Sequence, residues 1–123
     1  MQPHSLLPDA WPPVYSSEDL EGLAGSAVPQ DHVEASRWFR LAAEQGHGVE
    51  QYNLAQAYDR GEGVPQNDVQ AHKWANLSAS RTGRTWRYWA EILRERVAER
   101  LTPDQRVEAQ RLAHEWDEAH PRD

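Results

Sequence analysis

The chain of 123 residues contains no cysteine, so it has no disulfide, no thiol nucleophile and no cysteine ligand for zinc. It also lacks any stretch approaching the ~20 apolar residues that a membrane span needs. Its start, MQPHSLLPDAWPPVYSSEDL, has neither the basic region nor the continuous apolar segment of a secretory signal. We therefore expect a cytoplasmic protein without membrane contact, although a signal lost by trimming would leave export open.

Hydrophobic residues are scarce, at 38% of the sequence, and the mean hydropathy is −0.92. Six tryptophans and four tyrosines offset part of that deficit, because each buries a large apolar area. The length suits one compact domain. The net charge of −7 argues against general nucleic-acid binding, which depends on neutralising phosphates.

Helix signals dominate after the proline-rich beginning, and nothing in the sequence predicts a strand. Three pairs have capping-box spacing: Asp31 with Glu34, Asn67 with Gln70, and Thr102 with Gln105. They predict helices that begin at these positions, the last of which runs over Pro103–Ala119. Two further helices are predicted at about Val49–Arg60 and Arg84–Arg100. The fold is predicted to be all-α.

Each predicted helix carries apolar residues at helical spacing, which predicts the side that faces the core. The predicted buried positions are Ala35, Trp38, Phe39, Leu41 and Ala42; Leu54, Ala55 and Tyr58; Ala71, Trp74, Leu77 and Ser78; Trp86, Trp89, Ala90, Leu93 and Val97; and Ala109, Leu112, Ala113 and Trp116.

The chain repeats itself with a period of 36 residues. VPQDHVEASRWFRLAA begins at Val28 and VPQNDVQAHKWANLSA begins at Val64, with Trp38 and Trp74 at matching positions. A period in the mid-thirties that combines helix, glycine turn and helix is typical of an α-solenoid. Stacked helix pairs give each apolar face a partner, so the same sequence serves at each level.

The segment YNLAQAYDRGEGVPQNDVQAHKWANLSA closely resembles the Sel-one-like repeat (SLR) family, which is related to the tetratricopeptide repeats. The matching positions are Leu54, Tyr58, Gly61, Gly63, Val64, Ala71, Trp74 and Ala79, and in the earlier copy Gly25, Val28, Asp31, Ala35, Trp38, Ala42, Ala43 and Gly46. The first copy lacks a recognisable first helix, because Gly22 stands where the second copy has Tyr58.

The resemblance implies a short right-handed α-solenoid of antiparallel helix pairs, with about two repeats and a C-terminal helical cap. We expect an extended or disordered segment over 1–21, a degenerate first repeat over 22–47, a complete repeat over 48–83 and a capping helix pair over 84–120. Among these residues Ala35, Trp38, Leu54, Tyr58, Gly61, Gly63, Ala71 and Trp74 are expected to be structural. Gly61 and Gly63 permit the positive φ angles of a tight turn.

The resemblance also implies adaptor or scaffold work rather than catalysis. The six histidines show no metal-ligand spacing, and no nucleophile stands beside a base, so no catalytic, metal or cofactor site is predicted. The alternative is a small hydrolase or ligand-binding protein that acts on cell-wall-type, β-lactam-like substrates, which has been proposed for some members of the family. RTGRTWRYW (81–89) could contact RNA, but Trp86 and Trp89 fall on the apolar stripe, which favours a core role.

In stacked helix pairs of this kind, the first helix of each pair lines a concave groove. Asn53, Gln56 and Arg60 lie on the opposite side of their helix from Leu54 and Tyr58. We therefore predict that these three polar residues contact a partner protein or peptide, with an ordinary solvated face as the alternative. Because the ends of short repeat arrays are apolar, a homodimer through the degenerate first repeat is a further expectation.

Overall fold

The structure is a computed structural model that describes residues 29–122, with side chains from residue 32 onward. This part of the chain contains helices and no strand, which confirms the all-α prediction. The helices are α1 (Pro29–Glu44), α2 (Gly48–Arg60), α3 (Asp68–Arg81), α4 (Arg84–Ala98) and α5 (Pro103–Ala119). The predictions made for residues 1–21, and for Gly22 and Gly25, lie outside the described residues.

The helix starts follow the capping chemistry in two of the three predicted places. Thr102 forms a full capping box with Gln105, and Pro103 occupies the first turn of α5. The Asn67 side chain accepts a hydrogen bond from the backbone amide of Gln70 at 3.1 Å. The prediction is wrong for Asp31, because α1 already begins at Pro29 and Asp31 is therefore inside the helix.

The helices stack around α3, which packs against α2, α4 and α5, while α1 packs against α2. α2 also contacts α4, so the first helices of successive pairs lie side by side. A hydrogen bond holds α2 close to α3: the Ser78 hydroxyl donates to the carbonyl of Gly48 at 2.7 Å. A Cβ at Gly48 would lie 2.6 Å from the Arg81 carbonyl oxygen, so only glycine fits there.

The core is built from alanines, leucines and aromatic residues. Trp74 on α3 is only 2% exposed, and its ring makes an edge contact with Trp116 on α5 at a centroid distance of 5.6 Å. Tyr52 on α2 makes a similar contact with Trp86 on α4 at 5.5 Å. The aromatic pairs therefore join neighbouring helices across the stack, as edge-to-face geometry favours.

Several residues of the predicted stripes are not in this core. Leu41 and Trp89 are 43% and 48% exposed, so the prediction that they are buried is wrong. Each lies at the margin of its stripe, beyond the part of the helix that contacts a neighbour. Trp38 is half-buried, in contrast to its counterpart Trp74, and Leu112 is half-buried on α5.

Two groups of polar contacts join the ends of the helices. At one end, the Trp116 indole donates to Glu44 at 2.7 Å, and Arg81 donates to Asp117 at 2.7 Å. The other group is centred on Asp59, whose side chain is 7% exposed and which accepts from Arg96 and Arg100. Because Arg100 also binds Asp68, it links the helices α2 and α3 to the end of α4.

Glu50, in the first turn of α2, provides a pH-dependent test of this packing. Burial raises its pKa from 4.5 to about 7. The folded chain therefore holds a proton on Glu50 that the unfolded chain releases near pH 4.5, and the stability linked to this proton is lost as pH rises through about 7.

We expect Glu50→Gln to leave the thermal midpoint nearly unchanged at pH 5 and to raise it by a few degrees at pH 8. Glutamine resembles the protonated acid, so it removes the cost of burying the charged form. Glu118→Gln, which removes the same charge from an exposed position, is the control. A variant whose midpoint shifts equally at both pH values would show that burial does not govern Glu50.

Candidate partner-binding surface

The residues predicted to contact a partner do not form one exposed surface. Asn53 is 0% exposed and Gln56 is 7% exposed, whereas Arg60 is exposed. The prediction of an open polar face is therefore wrong for two of the three. The physical reason is that α2 has α1, α3 and α4 around it, so a polar sequence on its far side does not place that side in solvent.

The buried amides of α2 make few hydrogen bonds. Gln56 donates to the Tyr52 hydroxyl at 3.1 Å, and Gln51 donates to the carbonyl of Ala43 at 3.1 Å. Neither side-chain polar atom of Asn53 has a hydrogen-bond partner among the described residues. Because these side chains are buried, they offer no accessible contact to a partner.

Among the described residues, the large aromatic side chains that are exposed lie on α4, which packs beside α2. α4 buries Ala90, Leu93 and Val97. On its other sides, Tyr88 is 59% exposed, Trp89 is 48% exposed and Ile92 is 40% exposed. The rings of Tyr88 and Trp89 contact each other edge to face at 5.2 Å, so the two aromatic residues form one patch.

An open groove of about 400 Å³ runs along α4 from this patch. Its lining residues are Tyr88, Glu91, Ile92, Glu95, Arg96 and Glu99. The guanidinium of Arg96 is directed to Asp59, to which it donates at 2.8 Å. The groove therefore combines an apolar part at Tyr88 and Ile92 with an acidic part formed by the three glutamates.

Two other cavities compare less well as protein-binding sites. A groove of about 430 Å³ on α1 includes Val33, Leu41 and Val64, and no aromatic residue is among its described lining residues. A polar cleft of about 270 Å³ between α3, α4 and α5 is lined by His72, Arg94 and other polar residues. In this cleft the pKa of His72 is lowered, mainly by burial and to a smaller extent by the charge of Arg94. Since tryptophan and tyrosine are the commonest hot-spot residues, α4 is the better candidate.

The hydroxyl groups of the described serines all bind the backbone. Ser36, Ser78 and Ser80 each donate to a backbone carbonyl, at 2.7–2.9 Å. None of these three hydrogen bonds reaches a histidine or carboxylate that could act as a base. In the same part of the chain, no group of three or more His, Asp or Glu is placed to hold a metal ion.

The sequence singled out the segment that carries the patch, RTGRTWRYW, but assigned its tryptophans to the core. Trp86 does pack against the core, as predicted, whereas Trp89 does not. The two indoles are three residues apart and so lie some 60° apart around the helix axis, which is enough to separate a packed side chain from an exposed one.

No helix over residues 29–122 has the length and apolar character to cross a membrane.

Comparison with known proteins agrees with the 36-residue repeat. Residues 20–47 and 51–82 each match the family model described as Sel1 repeat. Neither the curated proteins nor the solved structures gave a match. The second match covers α2 and α3, the helix pair at the centre of the stack. Sel1 repeats generally act as protein–protein interaction modules, and this chain, with two of them in a stacked all-helical fold, belongs to the Sel1-like repeat family.

Proposed function

We propose that the chain is a non-enzymatic interaction module that binds a partner protein or peptide through Tyr88, Trp89 and Ile92 on α4. The observation that supports this most strongly is the exposure of two contacting aromatic residues and an isoleucine on one helix. α4 is the first helix of its pair and lies beside α2. Trp89 and Ile92 follow Asn53 and Gln56 by one 36-residue period, so the proposed surface lies one period along the chain from the predicted one.

The three side chains have the properties of an interface centre. Tyrosine and tryptophan supply a large contact area at a small cost in side-chain entropy. They are enriched among hot-spot residues, whose truncation to alanine costs ~2 kcal/mol or more of binding energy. The acidic residues around them supply a polar rim. The hydrolase alternative has no comparable support, because the described serine hydroxyls all bind backbone carbonyls.

The test is the variant Tyr88→Ala/Trp89→Ala/Ile92→Ala. We expect the amount of partner that it retains to be at least tenfold lower than the amount retained by wild type. The matched control is Val33→Ala/Leu41→Ala/Val107→Ala, which removes three exposed apolar side chains from α1 and α5. Both variants are immobilised, exposed to lysate of the source organism and compared by quantitative mass spectrometry.

The proposal requires that proteins retained by wild type and by the control variant be depleted on the α4 variant. Circular dichroism must show that the α4 variant is folded, and we expect its thermal midpoint to lie within a few degrees of wild type because the three side chains are exposed. If a folded α4 variant retains the same proteins as wild type, binding does not occur through this patch.

A further inference from the structure

We propose that the segment which docks on α4 is a basic amphipathic helix. Its apolar side chains would fill the groove beside Tyr88 and Ile92, and its lysine or arginine side chains would pair with Glu91, Glu95 and Glu99. This inference rests on the proposed function and names the chemistry of the partner.

The acidic row is available for such a partner. Glu91, Glu95 and Glu99 are exposed and follow one another at four-residue spacing, the first two on α4 and Glu99 at its C-cap. Glu95 has a contact of 3.4 Å with the Arg94 Nε, and no described residue forms an ion pair with Glu91 or Glu99. The row therefore has negative charge that the described residues do not neutralise by ion pairs.

Two of the arginines that the sequence places near this row bind residues on neighbouring helices. Arg96 donates to Asp59 at 2.8 Å, and the Nη1 of Arg94 donates to Asn76 at 3.0 Å. Arg87 forms no ion pair within the described residues. Arg84 and Arg87 are exposed in the first turns of α4, so the acidic part of its outward face is the later part, from Glu91 to Glu99.

The spacing of the row matches a helix as its ligand. Like charges four residues apart destabilise a helix, so cations from a partner would relieve a repulsion that exists in the free chain. Successive glutamates are ~6 Å apart along the axis, and lysines or arginines four residues apart on a partner helix have the same separation. The apolar contacts would supply most of the affinity, and the charges would select the partner and speed its association.

The same charges disfavour two other occupants. A second copy that used this face symmetrically would place one row of glutamates against the other. A nucleic acid could stack bases on Tyr88 and Trp89, but its phosphates would be repelled by the glutamates. A basic, apolar peptide satisfies both halves of the groove.

The inference is tested by selecting from a displayed library of random 16-residue peptides on the full chain. We expect the enriched peptides to carry Lys or Arg four residues apart, next to Leu, Phe or Trp. Their affinity should fall at least tenfold between 50 and 500 mM NaCl, and at least tenfold on Glu91→Gln/Glu95→Gln/Glu99→Gln. The control Glu108→Gln/Glu115→Gln/Glu118→Gln removes the same charge from α5 and should leave the affinity within twofold.

The outcomes separate this inference from the proposed function. Enriched peptides that are acidic or uncharged, and that need Tyr88 and Trp89 but ignore the α4 glutamates, overturn the inference and leave the proposed function standing. Peptides whose binding depends neither on Tyr88 and Trp89 nor on the three glutamates overturn both the inference and the proposed function. Failure to enrich any α4-dependent sequence overturns the inference. Binding of labelled RNA that requires Trp89, or a dimer in light scattering that requires Tyr88 and Ile92, would also replace the basic helix as occupant.

Discussion

Replacing Trp74 with alanine is expected to lower the free energy of unfolding by ~3–5 kcal/mol, the usual cost of truncating a large aromatic residue in a core. Trp74 is 2% exposed and packs edge to face on Trp116, so its removal would leave a cavity between α3 and α5 and an aromatic contact broken. Because α3 contacts α2, α4 and α5, the loss affects the helix on which the stack depends.

The measurement is urea denaturation followed by circular dichroism at 222 nm, which does not depend on the tryptophan removed. Trp89→Ala is the matched control, since it truncates the same side chain at 48% exposure, and we expect it to cost less than ~1 kcal/mol. If the two variants lost the same stability, Trp74 would not be the centre of the core.

Replacing Gly63 with alanine is expected to disrupt the turn between α2 and α3. Gly63 has a φ of 79°, which costs other residues ~1–2 kcal/mol. In addition, a Cβ at this position would lie 2.2 Å from the backbone oxygen of His32 and 2.4 Å from the Ser36 hydroxyl oxygen. The turn would have to move away from α1, which would break the hydrogen bond from Ser36 to the carbonyl of Glu62.

Gly61→Ala separates the two effects. Gly61 also has a positive φ, of 70°, but the nearest atom to its Cβ would be the Gln66 Cβ at 3.2 Å. Both variants lose the conformational freedom of glycine, whereas only Gly63→Ala collides with backbone. We therefore expect Gly63→Ala to lower the urea midpoint clearly more than Gly61→Ala. Equal midpoints would mean that α1 does not pack closely on this turn.

The helices and their turns could be predicted from the sequence because their signals are local. The capping box at Thr102, the asparagine cap at Asn67 and the glycine turn after α2 each depend on a few neighbouring residues. The period of 36 residues then predicted the stacking, since equal segments solve equal packing problems. Positions such as Leu54 and Ala71, both 0% exposed, follow from that periodicity.

The candidate surface could not be predicted in the same way, because exposure depends on how many neighbours a helix has. Asn53 and Gln56 are polar and yet buried, since α2 lies within the stack. Trp89 is apolar and yet exposed, since α4 has fewer neighbours on its outer side. Trp38 on α1 and Trp74 on α3 have the same sequence context but different burial, because α5 packs against α3. The sequence of a single helix does not show which other helices pack against it.

The most direct test of a partner-binding surface on α4 is site-specific photocrosslinking. A benzophenone amino acid is placed at Tyr88 in one protein and at Val107, an exposed position on α5, in another. Each is irradiated in cells of the source organism, and the adducts are identified by mass spectrometry. Our account predicts a defined adduct from position 88 that is absent from position 107. Adducts of equal yield from both positions, or an adduct from position 107 alone, would contradict it.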